Sequence, residues 1–281
     1  MKNGGGYEAV IFDLDGTLFR GKEVIAGAPE ALAALAEHTA CRFLSNNGER
    51  TSTDLAQRLR NFGFDVHEDD VASSADLVLK YARETARSAR ILALSSPELA
   101  SALAAQGHMM VEDDSATLVL IGVDRTLTRE RMVQGLRALL NGAALIATNE
   151  DPTYPAADGL RPAAGAYVGF FRGMGFEPER FCGKPDEKAV RMALESWGVV
   201  RPSRCLFVGD NLRTDIAAAA RVGADSVLVL SGVSARSDIS AIQDKPTAIL
   251  ESVSGVTRSY LDELASRRKT ESIALDRHVR Q

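Results

Sequence analysis

Short apolar runs of strand length alternate along this chain with segments whose apolar residues repeat at helical spacing. No other feature constrains the fold as much. The runs are AVIFDL (residues 9 to 14), CRFLS (41 to 45), RILALS (90 to 95), TLVLIGV (117 to 123), AALIAT (143 to 148), RCLFVG (204 to 209) and SVLVLS (226 to 231). Near-continuous apolar sequence is what a strand covered on both faces requires, and strands separated by helices are joined by crossovers that leave them parallel. The spacing predicts an α/β fold built on a mainly parallel sheet.

The intervening helices have readable ends. After Thr128, a hydroxyl able to cap free backbone N–H groups, Met132, Val133, Leu136, Leu139 and Leu140 repeat at helical spacing, and Gly142 offers a left-handed stop. Following Pro185, Val190, Ala193, Leu194 and Trp197 form a second stripe closed by Gly198. A third helix starts near Ser52 or Thr53, carries Leu55, Leu59 and Phe62, and ends at Gly63. The alanine-rich segments at residues 31 to 36 and 217 to 220 suit helices packed closely on the sheet.

Size and charge remove several function classes. A chain of 281 residues has room for one large domain or two modest ones. Its formal net charge of −5 lacks the clustered positive excess that displaces counterions from nucleic acid. No segment approaches the ~18 consecutive apolar residues of a membrane span. The start MKNGGGYEAV lacks the apolar run of a secretory signal, so a cytoplasmic location is expected. Cys41, Cys182 and Cys205 form no CxxC pair and read as buried, reduced thiols. None of the four histidines adjoins a motif; His38 and His67 follow polar stretches, and surface positions are expected. The charged tail from Tyr260 to Gln281 has Leu261, Leu264, Ile273 and Leu275 as its anchors, and reads as a surface helix or as disordered.

Residues capable of chemistry gather where apolar runs end. Asp13 and Asp15 stand at the carboxyl end of the first strand, where α/β sheets bind ligands, although an acid followed by glycine also makes an ordinary turn. Ser45, Asn46 and Asn47 follow the second strand and offer hydroxyl, amide and backbone N–H groups to an anion, or simply form a loop. Gly183-Lys184-Pro185 sets a cation just before a helix. In GDNLRTD, Asp210 ends a strand and Asp215 stands near a helix start, as a metal ligand and its support or as a turn and a cap. Each segment alone is ambiguous. Together they supply acids, amides and a cation at the ends of successive strands.

DLDGT (13 to 17), SNN (45 to 47), GKP (183 to 185) and GDNLRTD (209 to 215) resemble, in order, the signature motifs of the haloacid dehalogenase-like superfamily. The long gap between the second and third motifs resembles the subgroup with a large α/β cap, which includes NagD-like and p-nitrophenyl phosphatases. Residues 121 to 166 are similar to that cap, and the likeness runs on to about Val256. One departure is RPAAGA (161 to 166), where relatives carry Pro-Gly-x-Gly, so the cap loop's path is open. The resemblance implies a Rossmann-like parallel core from residues 1–73 and 182–281, with residues 74–181 inserted as an α/β cap.

What the resemblance implies about chemistry is specific. Asp13 attacks phosphorus, forming an aspartyl phosphate, while Asp15 serves first as acid and then as base. Mg²⁺ is expected on Asp13, Asp210 and the main-chain carbonyl of Asp15, with Asn211 and Asp215 holding these ligands in place. Ser45, Lys184 and the amides near Leu14 and Asn46 bind the non-bridging oxygens. Asn47 is expected to touch substrate or the closing cap. The loop Asn149 to Arg161 is the candidate for selectivity, with Asp151 and Tyr154 its most testable polar groups, or else these residues only shape a Pro-rich turn.

The substrate expected is a small phosphorylated metabolite, such as a sugar, glycerol or nucleotide phosphate. Two other readings use the same parts: a phosphotransferase to an alcohol acceptor, and a receiver-like switch that keeps its phosphoryl group. An acid at position 15 weighs against the switch. Relatives often dimerise, frequently through the cap, and the sequence itself gives no interface for a homodimer.

Overall fold

The computed structural model describes residues 6–85, 88–156 and 159–267. The chain divides into two compact units, one made of Met1–Leu44, Leu59–Val66 and Leu194–Gln281, the other of Ser45–Arg58 and His67–Ala193.

The first unit opens with β1 (Ala9–Phe12), every residue of which is buried, as its unbroken apolar sequence requires. A small antiparallel ribbon follows, β2 (Phe19–Arg20) on β3 (Glu23–Val24), then α1 (Ala28–Ala36) and β4 (Ala40–Ser45). β4 runs parallel to β1, with Phe12 opposite Phe43 and their rings stacked at 6.0 Å. The alanines of α1 let it lie close, burying Ala28, Leu32 and Leu35.

Next along the chain come α2 (Ser52–Asn61), β5 (Val71–Ser73), α3 (Ser74–Thr85), β6 (Arg90–Leu94), α4 (Pro97–Ala105), β7 (Met109–Met110), β8 (Leu118–Ile121), α5 (Arg129–Leu140) and β9 (Ala144–Ala147). A hairpin of β10 (Thr153–Ala156) and β11 (Gly159–Pro162) leads to α6 (Ala164–Arg172), β12 (Arg180–Phe181) and α7 (Glu187–Ser196). In the second unit a parallel sheet is ordered β12-β9-β8-β6-β7. Leu92, Val119, Ile121, Leu145, Val168 and Phe171 form the heart of its core.

Two sequence expectations shift here. Thr128 caps α5 as read, its hydroxyl accepting the Arg131 N–H at 3.3 Å, but the helix buries Gly135, Ala138 and Leu139 and leaves Leu140 69% exposed. A Cβ on Gly135 would stand 3.1 Å from the Phe171 ring, so this face is chosen by close packing more than by side-chain hydrophobicity. The proline-bearing segment read as a loop is the β10–β11 hairpin, with Tyr154 opposite Arg161. Proline is tolerated because a two-stranded ribbon has free edges.

The chain then returns to the first unit through β13 (Cys205–Gly209), a π turn at Leu212–Ile216, α8 (Ala217–Val222), β14 (Asp225–Val229) and β15 (Ala248–Leu250). The strands of this unit are parallel and ordered β15-β14-β13-β1-β4. Residues 258–267 are helical and bury Leu261 and Leu264, as two of the expected anchors. Ile273, Leu275 and His278 lie outside the described residues.

His67 is exposed and His38 half-buried, whereas His108 is buried, against the surface expectation. All three cysteines are free; burial pushes the Cys182 and Cys205 thiols up to about 12, so both stay protonated at neutral pH. Among the described residues no helix is long and apolar enough to cross a membrane.

Candidate active site

β1 and β13 lie side by side and parallel, so their carboxyl ends coincide. The ladder runs one bond beyond β1, the Asp13 N–H donating to the Val208 carbonyl at 2.9 Å, and this fixes Asp13 at the strand mouth. Asp210 follows β13 directly, and the π turn brings Asp215 back toward it. Asp13, Asp210 and Asp215 offer oxygens that all lie within 4.8 Å of one another.

Asp210 and Asp215 are each 2% exposed. Backbone donors hold them: Val233 N–H to Asp210 Oδ2 at 2.6 Å, and Asn211 N–H to Asp215 Oδ2 at 3.1 Å. Glycines surround them. A Cβ on Gly16 or Gly232 would come within 3.0 Å of the Asp210 carboxylate, and one on Gly209 within 3.0 Å of that of Asp215. The loops at residues 16 and 231 are further tied by the Ser231 hydroxyl, which donates to the Gly16 carbonyl at 2.7 Å, and by the Arg20 side chain, which donates to the Ser231 carbonyl. Carboxylates gathered in so little space can hold a metal ion. The donors are carboxylate oxygens with no thiol or imidazole among them, a set that fits a hard divalent ion.

Leu14 is fully buried and its carbonyl accepts the Leu18 N–H at 2.8 Å, while Asp15 is exposed and bridges to Phe19. Gly16, at φ 89°, turns the chain directly after Asp13 and Asp15.

In the second unit the structure gathers Asn46, Asn149, Asp151 and Lys184 into one hydrogen-bonded group. Asn46 Nδ2 donates to Asp151 Oδ2 and to the Lys184 carbonyl, each at 2.9 Å, and Asn46 Oδ1 accepts the Lys184 N–H at 2.7 Å. Asn149 Nδ2 donates to the Asn46 carbonyl at 2.7 Å, and Asn149 Oδ1 accepts the Asp151 N–H at 3.1 Å. Ser45 is buried, its hydroxyl accepting the Asn47 N–H at 3.1 Å. Asn47 Oδ1 accepts the N–H groups of Glu49 and Arg50 at 3.0 and 2.8 Å, holding the loop that leads to α2. Lys184 is 2% exposed, and Tyr154 is half-buried on β10.

Sequence reasoning places Asn149 and Asp151 in the segment assigned to selectivity and does not connect them to Asn46 and Lys184. It had also missed Gly232 and Val233, which complete the surroundings of Asp210 from a distant part of the chain. No local pattern marks these two residues. The altered RPAAGA segment keeps the glycine its path requires: a Cβ on Gly165 would come within 3.0 Å of the Glu150 carbonyl, and the Gly165 N–H donates to the Asp151 carbonyl at 2.9 Å. Asp76, absent from the sequence reading, accepts the Ser73 and Ser52 N–H groups at 2.9 and 2.8 Å. The Ser-x-x-Asp spacing before α3 is the signal that would have found it.

Comparison with known proteins agrees with this geometry. Residues 10–109 match the model of the haloacid dehalogenase-like hydrolases, and residues 181–256 match a second, HAD-hydrolase-like model. An acid sugar phosphatase of Staphylococcus epidermidis is 32% identical over 86% of this chain and 93% of its own. The p-nitrophenyl phosphatase from Archaeoglobus fulgidus superposes with a TM-score of 0.81 at 32% identity, covering 88% of this chain and 97% of its own. Glycerol phosphate phosphatase Rv1692 from Mycobacterium tuberculosis, solved in complex with calcium, superposes with a TM-score of 0.79 at 30% identity, covering 88% and 74%. With strand-end carboxylates where its motifs stand and likeness extending over most of its length, the chain belongs to the haloacid dehalogenase-like hydrolases.

Proposed function

We propose that this chain is a Mg²⁺-dependent phosphatase that hydrolyses phosphate monoesters of small metabolites through an aspartyl phosphate on Asp13. The observation that carries the reading is the Asp13, Asp210 and Asp215 cluster at the ends of adjacent parallel strands. The names of the relatives, acid sugar, p-nitrophenyl and glycerol phosphate phosphatases, support a phosphoric monoester hydrolase.

A phosphate monoester resists nucleophiles because its own charge repels them, so neutralising that charge is most of the catalytic task. Asp13, Asp210 and the main-chain carbonyl of Asp15 would hold Mg²⁺, with Asp215 and Asn211 steadying them. When bound, the ion supplies positive charge to the phosphoryl oxygens. Lys184, Ser45 and the main-chain amides near Leu14 and Asn46 are assigned to the non-bridging oxygens.

An Asp13 carboxylate oxygen forms a bond to phosphorus as the ester P–O bond breaks, and Asp15 gives its proton to the departing alcohol. Asp15 then takes a proton from water, whose oxygen attacks phosphorus; the bond to Asp13 breaks and inorganic phosphate leaves. An acid and base beside the nucleophile favours hydrolysis over a lasting phosphoryl mark. Residues 74–181 are read as the cap, with Tyr154 facing the organic part of the substrate. A homodimer rests on the family resemblance alone.

The test is phosphate release from p-nitrophenyl phosphate with and without Mg²⁺. Many turnovers per chain that stop when the ion is chelated are expected. Labelling that halts at one phosphoryl group per chain would instead indicate a switch, and transfer to an added alcohol in preference to water a phosphotransferase.

A further inference from the structure

The hydrogen-bonded group in the second unit engages the side chains of Asn46 and Asp151 within the protein. An asparagine amide has two N–H donors and one carbonyl oxygen. In Asn46 both donors are used within the protein, on Asp151 Oδ2 and the Lys184 carbonyl, and the oxygen takes the Lys184 N–H. The side chain therefore pairs with both backbone groups of Lys184, as a neighbouring strand would.

This pairing works in one orientation only. Were the amide turned over, its NH₂ would face the Lys184 N–H, donor against donor, and its oxygen would face the Lys184 carbonyl and the Asp151 carboxylate. Ionised Asp151 can only accept, so it selects the productive orientation with a charge-assisted bond. Asp151 is itself fixed, because its N–H donates to Asn149 Oδ1 while Asn149 Nδ2 donates to the Asn46 carbonyl at 2.7 Å and to Thr148 Oγ1 at 3.3 Å. The preceding Gly183 is pinned as well: a Cβ there would stand 2.8 Å from Asn46 Oδ1 and from the Thr148 carbonyl, and closer still to Ser74 Oγ.

We infer that Asp151 and Asn46 are positioning residues for Lys184, setting its backbone so that its ammonium group meets the phosphoryl oxygens, and that Asp151 does not contact the leaving group. The inference rests on the reading of Lys184 as a phosphate ligand. A lysine side chain is a long lever, so a small rotation of its backbone moves the ammonium group by a larger distance. A misplacement of about 1 Å at a reacting centre costs as much as 10²-fold.

The test is a double-mutant cycle read as the dissociation constant of inorganic phosphate, measured calorimetrically with Mg²⁺ present, a readout that survives loss of turnover. Asp151→Ala is expected to weaken phosphate about 10-fold in the otherwise unaltered chain and less than about 2-fold when Lys184→Met is already present. Asp151→Asn, which keeps an acceptor oxygen, is expected to recover most of the loss. Asp151→Leu keeps the volume without the acceptor, and serves in the same cycle should the alanine variant not fold. Across substrates with different alcohols, Asp151→Ala is expected to lower kcat by a common factor. Wild-type phosphate affinity in the Asp151 variants, an equal loss in both backgrounds, or a loss that depends on the alcohol would overturn the inference. Lys184→Met that binds phosphate as wild type does would overturn the reading of Lys184, and this inference with it.

Discussion

Gly209 closes β13 and has no space for a side chain, because the Asp215 carboxylate occupies the position a Cβ would take. Gly209→Ala must therefore displace Asp215 or bend the strand end. It is expected to raise the Mg²⁺ concentration for half-maximal activity about 10-fold or more, in line with disturbed support of metal ligands. An unchanged requirement would show that Asp215 gives way freely. At this scale DLDGT and GDNLRTD were legible, since acids at the ends of apolar runs follow from where α/β sheets bind ligands. Gly232 and Val233 were not, because their part depends on β13 and β14 being neighbours, which is a property of topology and not of local sequence. The group around Asn46 escaped for the same reason: Asn46, Asp151 and Lys184 are far apart in sequence.

Among the elements, the starts of α2 and α3 are joined by one carboxylate. Asp76 accepts the Ser73 N–H and hydroxyl at 2.9 and 2.7 Å and the Ser52 N–H at 2.8 Å. Burial raises its pKa above the ordinary 3.8, outweighing the hydrogen bonds from Ser73 and Ser52 that lower it. The folded chain therefore holds this proton more tightly than the unfolded chain, and stability falls as pH rises from near 3.8 through the folded value. Measured by denaturant unfolding, wild type should gain stability relative to Asp76→Asn as pH is lowered from neutral into that interval. The opposite trend would mean that the hydrogen bonds outweigh burial. Strands and helix caps were readable because apolar runs and the Thr128 hydroxyl act locally. The β10–β11 hairpin was not, since its prolines speak against a strand until a two-stranded ribbon with free edges is in view. The buried face of α5 was misjudged because Gly135 fits against Phe171 while Leu140 faces solvent.

For the molecule as a whole, the alternation of strand and helix gave the parallel α/β class directly, and the sheets of both units have that character. The order of strands was not readable from the alternation, because crossovers of similar length permit several orders. The family was legible through the motifs, and the identity of the alcohol was not. A hydrophobic contact distinguishes substrates by only about 1 to 3 kcal/mol, and nothing in composition or spacing specifies such contacts. The central claim is that Asp13 carries the phosphoryl group between substrate and water. Protein mixed with excess p-nitrophenyl phosphate and Mg²⁺, quenched in acid during turnover, digested and weighed by mass spectrometry, should yield one added phosphoryl group on the peptide bearing Asp13. Continued turnover with no phosphorylated peptide, or with the group on a different residue, would contradict the account.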